Sequence, residues 1–346
     1  MALYRYRLIR LPWLHHPVPP RPDVGSRRLP AVRLGVSVSD GATNHAARRT
    51  APAQAPTTRF AEIVMRLVEH HIPAAEVNPP VEWASVARFK LTIEYAGMRY
   101  SGWQIQTNAK TIQGEIDRAA RTVTGRTDFE LYGSGRTDAG VHALGQVAHL
   151  DVSTNLPPET LRRRLNDELP ADIHVLSTTI VPHRFHARHD AVARRYIYQI
   201  STRRTAFAKP YVWGVRDDLD VSHMRAAASR FVGRHDFSSF AVAERDAADA
   251  SGIVQLERFD LIEDGALVIV VVEGSHFLWR MVRRLVGVLA AVGRAELGAT
   301  AAVDLLHESS DLPARLTAPA SGLFLARVFY RGDTRDAPVG AATPVS

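Results

Sequence analysis

Residues 87–95 read Ala-Arg-Phe-Lys-Leu-Thr-Ile-Glu-Tyr, and apolar and polar side chains alternate along the whole stretch. An alternation with a period of two is typical of a β-strand that buries one face and exposes the other. A helix is predicted next over residues 111–124, because apolar side chains recur there at helical spacing and Gly125 can end it. The order βαββαβ is completed by three strands and a helix, near residues 129–132, 146–152, 173–180 and 158–168.

The same order recurs in the second half of the chain. Its predicted strands lie near residues 193–201, 254–262, 267–272 and 323–330, and its predicted helices near 222–232, 277–292 and 301–307. Asp264-Gly265, between two of these strands, is typical of a tight hairpin. Two such halves indicate an α+β protein made of two ferredoxin-like βαββαβ units. Helices would cover one face of each sheet, and the open faces could join into one broad platform.

The repeat predicts an N-terminal half over residues 87–190, a C-terminal half over 191–331 and a tail over 332–346. Residues 1–86 form a basic extension that is predicted to be disordered. Within it, residues 1–60 hold ten Arg, no Lys, two Asp and eight of the 20 prolines. The net charge of +7 is therefore concentrated in residues 1–60, and the rest of the chain is close to neutral. Any contact with nucleic acid in the folded part must come from local clusters of charge.

Composition excludes several classes of protein and site. The chain has no cysteine, which excludes disulfides, thiol nucleophiles and cysteine-based zinc sites. No apolar run approaches the roughly 20 residues that a membrane-spanning helix needs. No secretory signal is predicted, because arginines interrupt the only apolar stretch near the start, and we expect a cytoplasmic protein. His186 and His189 lack a paired carboxylate nearby and fall in a predicted loop and strand, so no metal site is predicted.

Chemistry is concentrated in residues 133–142, Gly-Ser-Gly-Arg-Thr-Asp-Ala-Gly-Val-His, which lie between two predicted strands. The glycines allow a tight bend and a close approach of the backbone to a ligand. In extended backbone the side chains of Arg136 and Asp138 could point the same way. A guanidinium nearby keeps a carboxylate ionised, and an ionised carboxylate can act as nucleophile or base. A glycine-rich turn with an Asx-type hydrogen bond from Asp138 explains the same residues. A phosphate-binding P-loop does not fit, since no Gly-Lys-Ser/Thr follows.

Three other stretches carry side chains suited to RNA. Residues 185–188 lead into 193–198, where basic and aromatic side chains interleave in a way that suits base stacking and phosphate contacts. An ordinary strand with Tyr196 half-buried is the alternative. The helix predicted over 277–292 carries three arginines. Arginines on a core helix usually form its solvent-exposed face. Gly102-Trp103-Gln104 lies in a loop and is either packing or an edge that faces the substrate.

Nine short motifs occur in a fixed order between about Phe89 and Tyr330. They are Gly102-Trp103-Gln104, Gly135-Arg136-Thr137-Asp138-Ala139-Gly140-Val141-His142, Gly145-Gln146-Val147, Leu169-Pro170, Phe185-His186-Ala187-Arg188, Ala193-Arg194-Arg195-Tyr196, His235-Asp236-Phe237, Met281-Val282-Arg283 and Ala318-Pro319-Ala320-Ser321-Gly322-Leu323. This ordered set resembles the tRNA pseudouridine synthase A family. The resemblance implies two α+β halves that share a central, mostly antiparallel sheet.

The resemblance also implies an activity and a site. Members convert uridine to pseudouridine at positions 38–40 of the anticodon stem-loop of tRNA, after the base has flipped out of its stack. Asp138 would be the catalytic aspartate, and Tyr196 would stack in the uridine pocket. Arg136 would hold the flipped nucleotide, and Arg283 would reach back from the second half to pair with Asp138. Members are homodimers that bind tRNA across both subunits, without a cofactor or a catalytic metal.

Two departures and two competing functions accompany the resemblance. Residues 1–86 make a longer leader than members usually have. Where many members carry an arginine, this chain has Ser251-Gly252-Ile253, and tRNA affinity or choice of uridine differs here if that arginine contacts RNA. A non-catalytic RNA-binding or RNA-folding module could use the same platform. A phosphate-cleaving hydrolase built on Asp138 would need a second carboxylate or a cluster of metal ligands, and the sequence presents neither.

Overall fold

The computed structural model describes residues 85–242 and 251–345. The extension predicted over residues 1–86 therefore lies outside the described residues, except for its last two. Ten strands belong to one sheet in the described part: β1 Val86–Tyr95, β2 Glu130–Gly133, β3 His142–Ser153, β4 Ile173–Val181, β5 Ala191–Ser201, β6 Trp213–Gly214, β7 Gly233–Asp236, β8 Ile253–Asp264, β9 Leu267–Gly274 and β10 Leu323–Tyr330.

The strand order β4-β1-β3-β10-β5-β9-β8-β7 shows how the two halves join, with β2 paired to β3 and β6 paired to β5. Strand β10 comes last in the chain but lies at the centre of the sheet. It pairs antiparallel with β5 and parallel with β3, where Phe324 and Leu325 align with His142 and Ala143. Every other pairing except β5 with β6 is antiparallel. The predicted α+β fold with a shared, mostly antiparallel sheet is confirmed. The domain boundaries stay a prediction.

The described residues include six α-helices: α1 Ile112–Thr124, α2 Pro158–Glu168, α3 Val221–Ser229, α4 Met281–Gly293, α5 Ala299–Asp304 and α6 Leu312–Arg315. Helix α1 begins with the side chain of Thr111 accepting a hydrogen bond from Gly114 N, and it ends at Gly125 with φ +67°. Glycine suits this left-handed position because a side chain would be strained there. No helix in residues 85–242 or 251–345 is both long and apolar enough to cross a membrane.

Two apolar clusters lie under the helices, one in each half. Tyr196 of β5 packs against both clusters, so it marks the junction between the halves. The predicted hairpin at Asp264-Gly265 is confirmed: β8 and β9 pair up to Asp264 and Leu267, and Gly265 has φ +57°.

The tail predicted from residue 332 onward does not stand apart from the sheet. Ile269 and Val271 alternate with the residues of β9 that face the helices, so they point to the other face. Val345 joins them in a third apolar cluster, and the amide nitrogen of Ala342 donates to Gln199 Oε1 at 2.7 Å. Part of the predicted open platform in the second half is therefore covered by the chain's own tail.

The helix predicted over 277–292 begins only at Met281. Arg280, which precedes it, has φ +62°, a left-handed conformation that ends any helical path from the N-terminal side. Phe277 and Trp279 are thereby turned out of the helix and toward the junction between the halves. The helical spacing of apolar residues over 277–292 had predicted one continuous helix across this change of direction.

Candidate active site

The loop that carries Asp138 connects β2 to β3 and is tied to β3 by one side chain. Gln146 Oε1 accepts a hydrogen bond from Ser134 Oγ at 2.7 Å, and Gln146 Nε2 donates to the carbonyl oxygen of Gly135 at 3.0 Å. Ser134 N also donates to Val147 O at 2.7 Å. A buried amide that satisfies both its oxygen and its nitrogen in this way holds a loop rigidly.

Gly102 and Trp103 support Asp138 from behind. Trp103 N donates to Thr137 O at 3.1 Å, and the hydroxyls of Tyr95 and Thr137 lie 2.8 Å apart. Gly102 has φ +93°, and a Cβ atom there would lie 2.6 Å from Thr137 O, so no side chain fits. Trp103 is 2% exposed. Of the two interpretations of the 102–104 motif, packing is the one that the geometry supports.

Among the described residues, two donors contact the Asp138 carboxylate, and both come from the second half of the chain. Its Oδ1 accepts a hydrogen bond from Trp279 Nε1 at 3.0 Å. Its Oδ2 lies 3.5 Å from a terminal nitrogen of Arg283, at the long limit for a hydrogen bond. Arg283 Nε donates to Ala318 O at 2.7 Å, which orients the guanidinium. The structure therefore brings Arg283 to Asp138, while the role of the pair stays a prediction.

Tyr196 follows Arg195 on β5 and lies at the junction beside this carboxylate. Its ring meets Phe277 edge-on, with centroids 5.1 Å apart and an interplanar angle of 85°. Burial raises the pKa of Tyr196 to about 12, partly opposed by the cation of Arg194 and reinforced by the negative charge of Asp138. The phenol is therefore protonated at neutral pH, and its ring borders the carboxylate as a neutral surface.

Arg136 does not contact Asp138. Its side chain is exposed, and it makes no hydrogen bond or ion pair with any residue that the structure describes. The predicted juxtaposition of Arg136 and Asp138 is thus replaced by the contact with Arg283. The reason is local: Thr137 points inward to Tyr95, and the chain turns at Asp138, whose carbonyl accepts from Val141 N at 3.1 Å. An exposed guanidinium without a protein partner is suited to a phosphate.

The interleaved arginines of β5 are engaged within the protein. Arg194 donates to Ser134 O at 3.0 Å, Ser275 O at 2.8 Å and Arg188 O at 2.9 Å. It thereby links the Asp138 loop to two other segments, and burial lowers its pKa. Arg195 pairs with Glu273 at 2.7 Å and is buried. Protein oxygens occupy both guanidinium groups, and Tyr196 is half-buried, so these residues fit the alternative of an ordinary strand.

The histidines near the site are structural. His142 Nδ1 accepts from Gly97 N at 3.1 Å, so its Nε2, 3.1 Å from Pro210 O, carries the proton and donates. Burial lowers its pKa, which keeps the ring neutral. The rings of His186 and His189 lie 4.2 Å apart between centroids, tilted by 47°. Within the described ranges, no group of three His, Asp or Glu side chains could hold a metal ion.

Trp279 was missed in the sequence. A signal was present: Phe277, Leu278 and Trp279 are three successive large apolar residues, and one face of a helix cannot bury all three. That run is better explained by a turn that presents separate side chains in different directions.

Comparisons with known proteins bear on the family of this chain. A family model described as tRNA pseudouridine synthase matches residues 91–190 and 227–331, which include Asp138, Trp279 and Arg283. The tRNA pseudouridine synthase A of Rhodopseudomonas palustris is 42% identical over 246 residues, covering 70% of this chain and 99% of the relative.

Two further relatives carry the same name. That of Nitrobacter winogradskyi is 41% identical over 248 residues, 71% of this chain and 96% of its own length. That of Geotalea uraniireducens is 41% identical over 245 residues, 70% of this chain and 99% of its own length. On both grounds, the family model and the relatives, this chain belongs to the tRNA pseudouridine synthase family.

Proposed function

We propose that this chain converts uridine to pseudouridine at positions 38–40 of the anticodon stem-loop of tRNA, with Asp138 as the nucleophile. The observation that carries this proposal is the setting of Asp138. Its carboxylate lies at the junction of the halves, is 23% exposed, and is held by Trp279 and Arg283 beside Tyr196. A carboxylate that is oriented but still accessible can attack a bound substrate.

The reaction needs no outside reactant. The bond between C1′ and N1 breaks, a bond between C1′ and C5 forms, the proton on C5 leaves, and N1 gains a proton. Substrate and product are isomers, so no electrons are exchanged with a second molecule. Asp138 initiates the sequence by attack on C1′ of the ribose or on C6 of the base, and the Asp138 adduct later breaks to regenerate the carboxylate. Proton removal at C5 falls to the freed carboxylate or to Tyr196, whose phenol must first pass its own proton to another group.

The surrounding residues would bind the flipped nucleotide. Removing a uridine from stacked RNA costs a few kcal/mol, which contacts in the pocket must offset. The ring of Tyr196 provides a face for the uracil, since aromatic side chains stack on unpaired bases. Arg136, exposed and unengaged among the described residues, would bind a phosphate next to the flipped nucleotide.

The assembly that goes with this function is a homodimer that binds tRNA across both subunits in the cytoplasm. Relatives named tRNA pseudouridine synthase A support the choice of tRNA as substrate. Sedimentation of the chain with and without tRNA measures how many chains associate and how many tRNA molecules they bind. A monomer that binds one tRNA with full activity would contradict the homodimer.

The activity is tested by release of tritium from tRNA labelled at C5 of uridine, with the wild type beside Asp138→Asn. We expect release by the wild type alone, together with tRNA binding by both proteins. Transcripts with cytidine at each of the three positions in turn identify the modified uridines. Binding of tRNA without release by the wild type would instead support a non-catalytic RNA-binding module.

A further inference from the structure

We infer that Trp279 is a positioning residue for the reaction: its indole N–H, donated to Oδ1, holds the Asp138 carboxylate in the orientation for attack. This inference rests on the proposed role of Asp138 as the nucleophile. It concerns a side chain that lies outside the motif Met281-Val282-Arg283 and contacts Asp138 from a position 141 residues further along the chain.

Trp279 provides the shorter of the two contacts that orient the carboxylate. The indole nitrogen lies 3.0 Å from Oδ1, whereas the Arg283 nitrogen lies 3.5 Å from Oδ2. Hydrogen bonds weaken steeply toward the longer distance. Arg283 is oriented mainly by Ala318 O, to which its Nε donates at 2.7 Å. Rotation of the carboxylate about its Cβ–Cγ bond is therefore restrained chiefly by the indole.

An indole is suited to this task because of its chemistry. Its N–H can donate a hydrogen bond, but it has no acceptor and does not ionise near neutral pH. It can therefore orient an anion without taking part in proton transfer. Arg283 supplies the countercharge, so the two donors divide orientation and charge between them.

The backbone around Trp279 is built to present its ring at this place. Arg280 adopts φ +62°, which is uncommon for a residue with a side chain. Strained conformations of this kind concentrate at functional sites. The left-handed turn separates Trp279 from α4, and Val242 N donates to Trp279 O at 3.1 Å. The Arg280 guanidinium lies 5.3 Å from the centroid of the indole and supports it from one side.

Packing alone does not account for the position of Trp279. The residue is 45% exposed, whereas the packing residue Trp103 is 2% exposed. A large aromatic side chain left half-exposed, with its only polar atom directed at the candidate nucleophile, is better explained by a role in the site. Trp279 therefore contributes little to the core, and we expect its replacement to leave the fold intact.

The kinetic test compares Trp279→Phe, which keeps a ring but loses the N–H, with Trp279→His, which keeps a ring N–H. Loss of one hydrogen bond to a charged group predicts a fall in kcat of about 10-fold or more for the Phe variant. KM for tRNA should change by less than about 2-fold, because uniform binding is unaffected. The His variant should recover kcat to within about 3-fold of the wild type.

Trp213→Phe is the matched control. The indole nitrogen of Trp213 makes no hydrogen bond to the described residues, and its ring meets Tyr198 edge-on in the core of the second half. Its kcat should equal that of the wild type. A Trp279→Phe variant with wild-type kcat overturns the inference, as does one that raises KM and leaves kcat unchanged. A wild type without tritium release refutes the proposed function instead.

A second measurement does not depend on activity. The sequence contains five tryptophans, so ¹⁵N-labelled indole groups give five N–H signals. The signal that disappears in Trp279→Phe should be the one that moves most in Asp138→Ala, because that change removes its acceptor. If another signal moves, or none does, the hydrogen bond is absent in solution and Trp279 does not position Asp138.

Discussion

Two arginine–carboxylate pairs flank strand β5, and they are built in opposite ways. Arg195 and Glu273 lie 2.7 Å apart with side chains 5% and 4% exposed, whereas Arg283 and Asp138 lie 3.5 Å apart with side chains 16% and 23% exposed. Arg195 and Tyr196 are neighbours on the strand, so their side chains point to opposite faces of the sheet. The face that Arg195 occupies thus carries a buried pair, Arg195–Glu273, called the closed pair below. The face that Tyr196 occupies borders the more exposed pair, Arg283–Asp138, called the open pair.

The closed pair is fully engaged. Glu273 also accepts from Arg335 at 3.3 Å, and Arg195 donates to the Arg335 carbonyl oxygen at 2.6 Å. The ring of Phe329 lies 4.9 Å from the Arg195 guanidinium. A buried charge needs this complete set of partners, because desolvation is costly. The open pair leaves carboxylate lone pairs accessible to a ligand, which a nucleophile requires.

The largest expected effect comes from neutralising the open pair. Asp138→Asn keeps the shape of the side chain but removes its nucleophilicity, so we expect tritium release to fall roughly 10⁴-fold or more. Binding of tRNA, measured by filter retention, should stay within about 3-fold of the wild type. Near-normal turnover by this variant would end the assignment of Asp138 as nucleophile.

Opening the closed pair should affect stability instead of turnover. Glu273→Gln leaves the Arg195 guanidinium buried without its countercharge, and the free energy of unfolding should fall by about 3–5 kcal/mol. Urea denaturation measures this change, and kcat of the folded fraction at low temperature should match the wild type. If kcat falls in parallel with a small change in stability, the two faces of β5 are coupled and the contrast between the pairs is wrong.

The two pairs also show what the sequence could predict. The alternation of residues 87–95 and the Asp264-Gly265 hairpin are local patterns, and both predictions are confirmed by the strands. Asp138 stood out through its glycine-rich surroundings and the resemblance. Local spacing placed Arg136 beside it, whereas the donors are Trp279 and Arg283, 141 and 145 residues further along the chain. Of these two, the resemblance had named Arg283. Such contacts depend on how β10 joins the halves, which no local pattern contains.

Removing the ring of Tyr196 should have an effect of intermediate size. Tyr196→Leu removes the stacking face, and since stacking on an aromatic ring is worth about 1–3 kcal/mol per base, kcat/KM should fall roughly 10- to 100-fold. Tyr196→Phe keeps the ring and separates stacking from proton transfer. A Phe variant within about 3-fold of the wild type leaves the freed carboxylate as the base, and one as impaired as Leu assigns that step to the phenol.

The free energy of unfolding at high pH gives a second test of the burial of Tyr196. Burial raises its pKa to about 12, above the ordinary value of 10.0, so between these values the folded state holds a proton that the unfolded state has lost. This contribution to stability is present below pH 10 and disappears as pH rises toward 12. The free energy of unfolding should fall less steeply over that range in Tyr196→Phe than in the wild type. Equal slopes would mean that Tyr196 is hydrated in the folded protein.

The smallest expected effect comes from replacing Arg136, and it distinguishes the role of Arg136 from that of Arg283. Arg136→Gln removes an exposed cation without a described protein partner, so tRNA affinity should weaken about 3- to 10-fold and the slope of log Kd against log salt should fall by about 1. The value of kcat at saturating tRNA should be nearly unchanged. Arg283→Gln removes the countercharge of the nucleophile and should lower kcat with little change in Kd. If Arg136→Gln instead lowers kcat at constant affinity, Arg136 acts on the reacting nucleotide and moves toward Asp138 when tRNA binds.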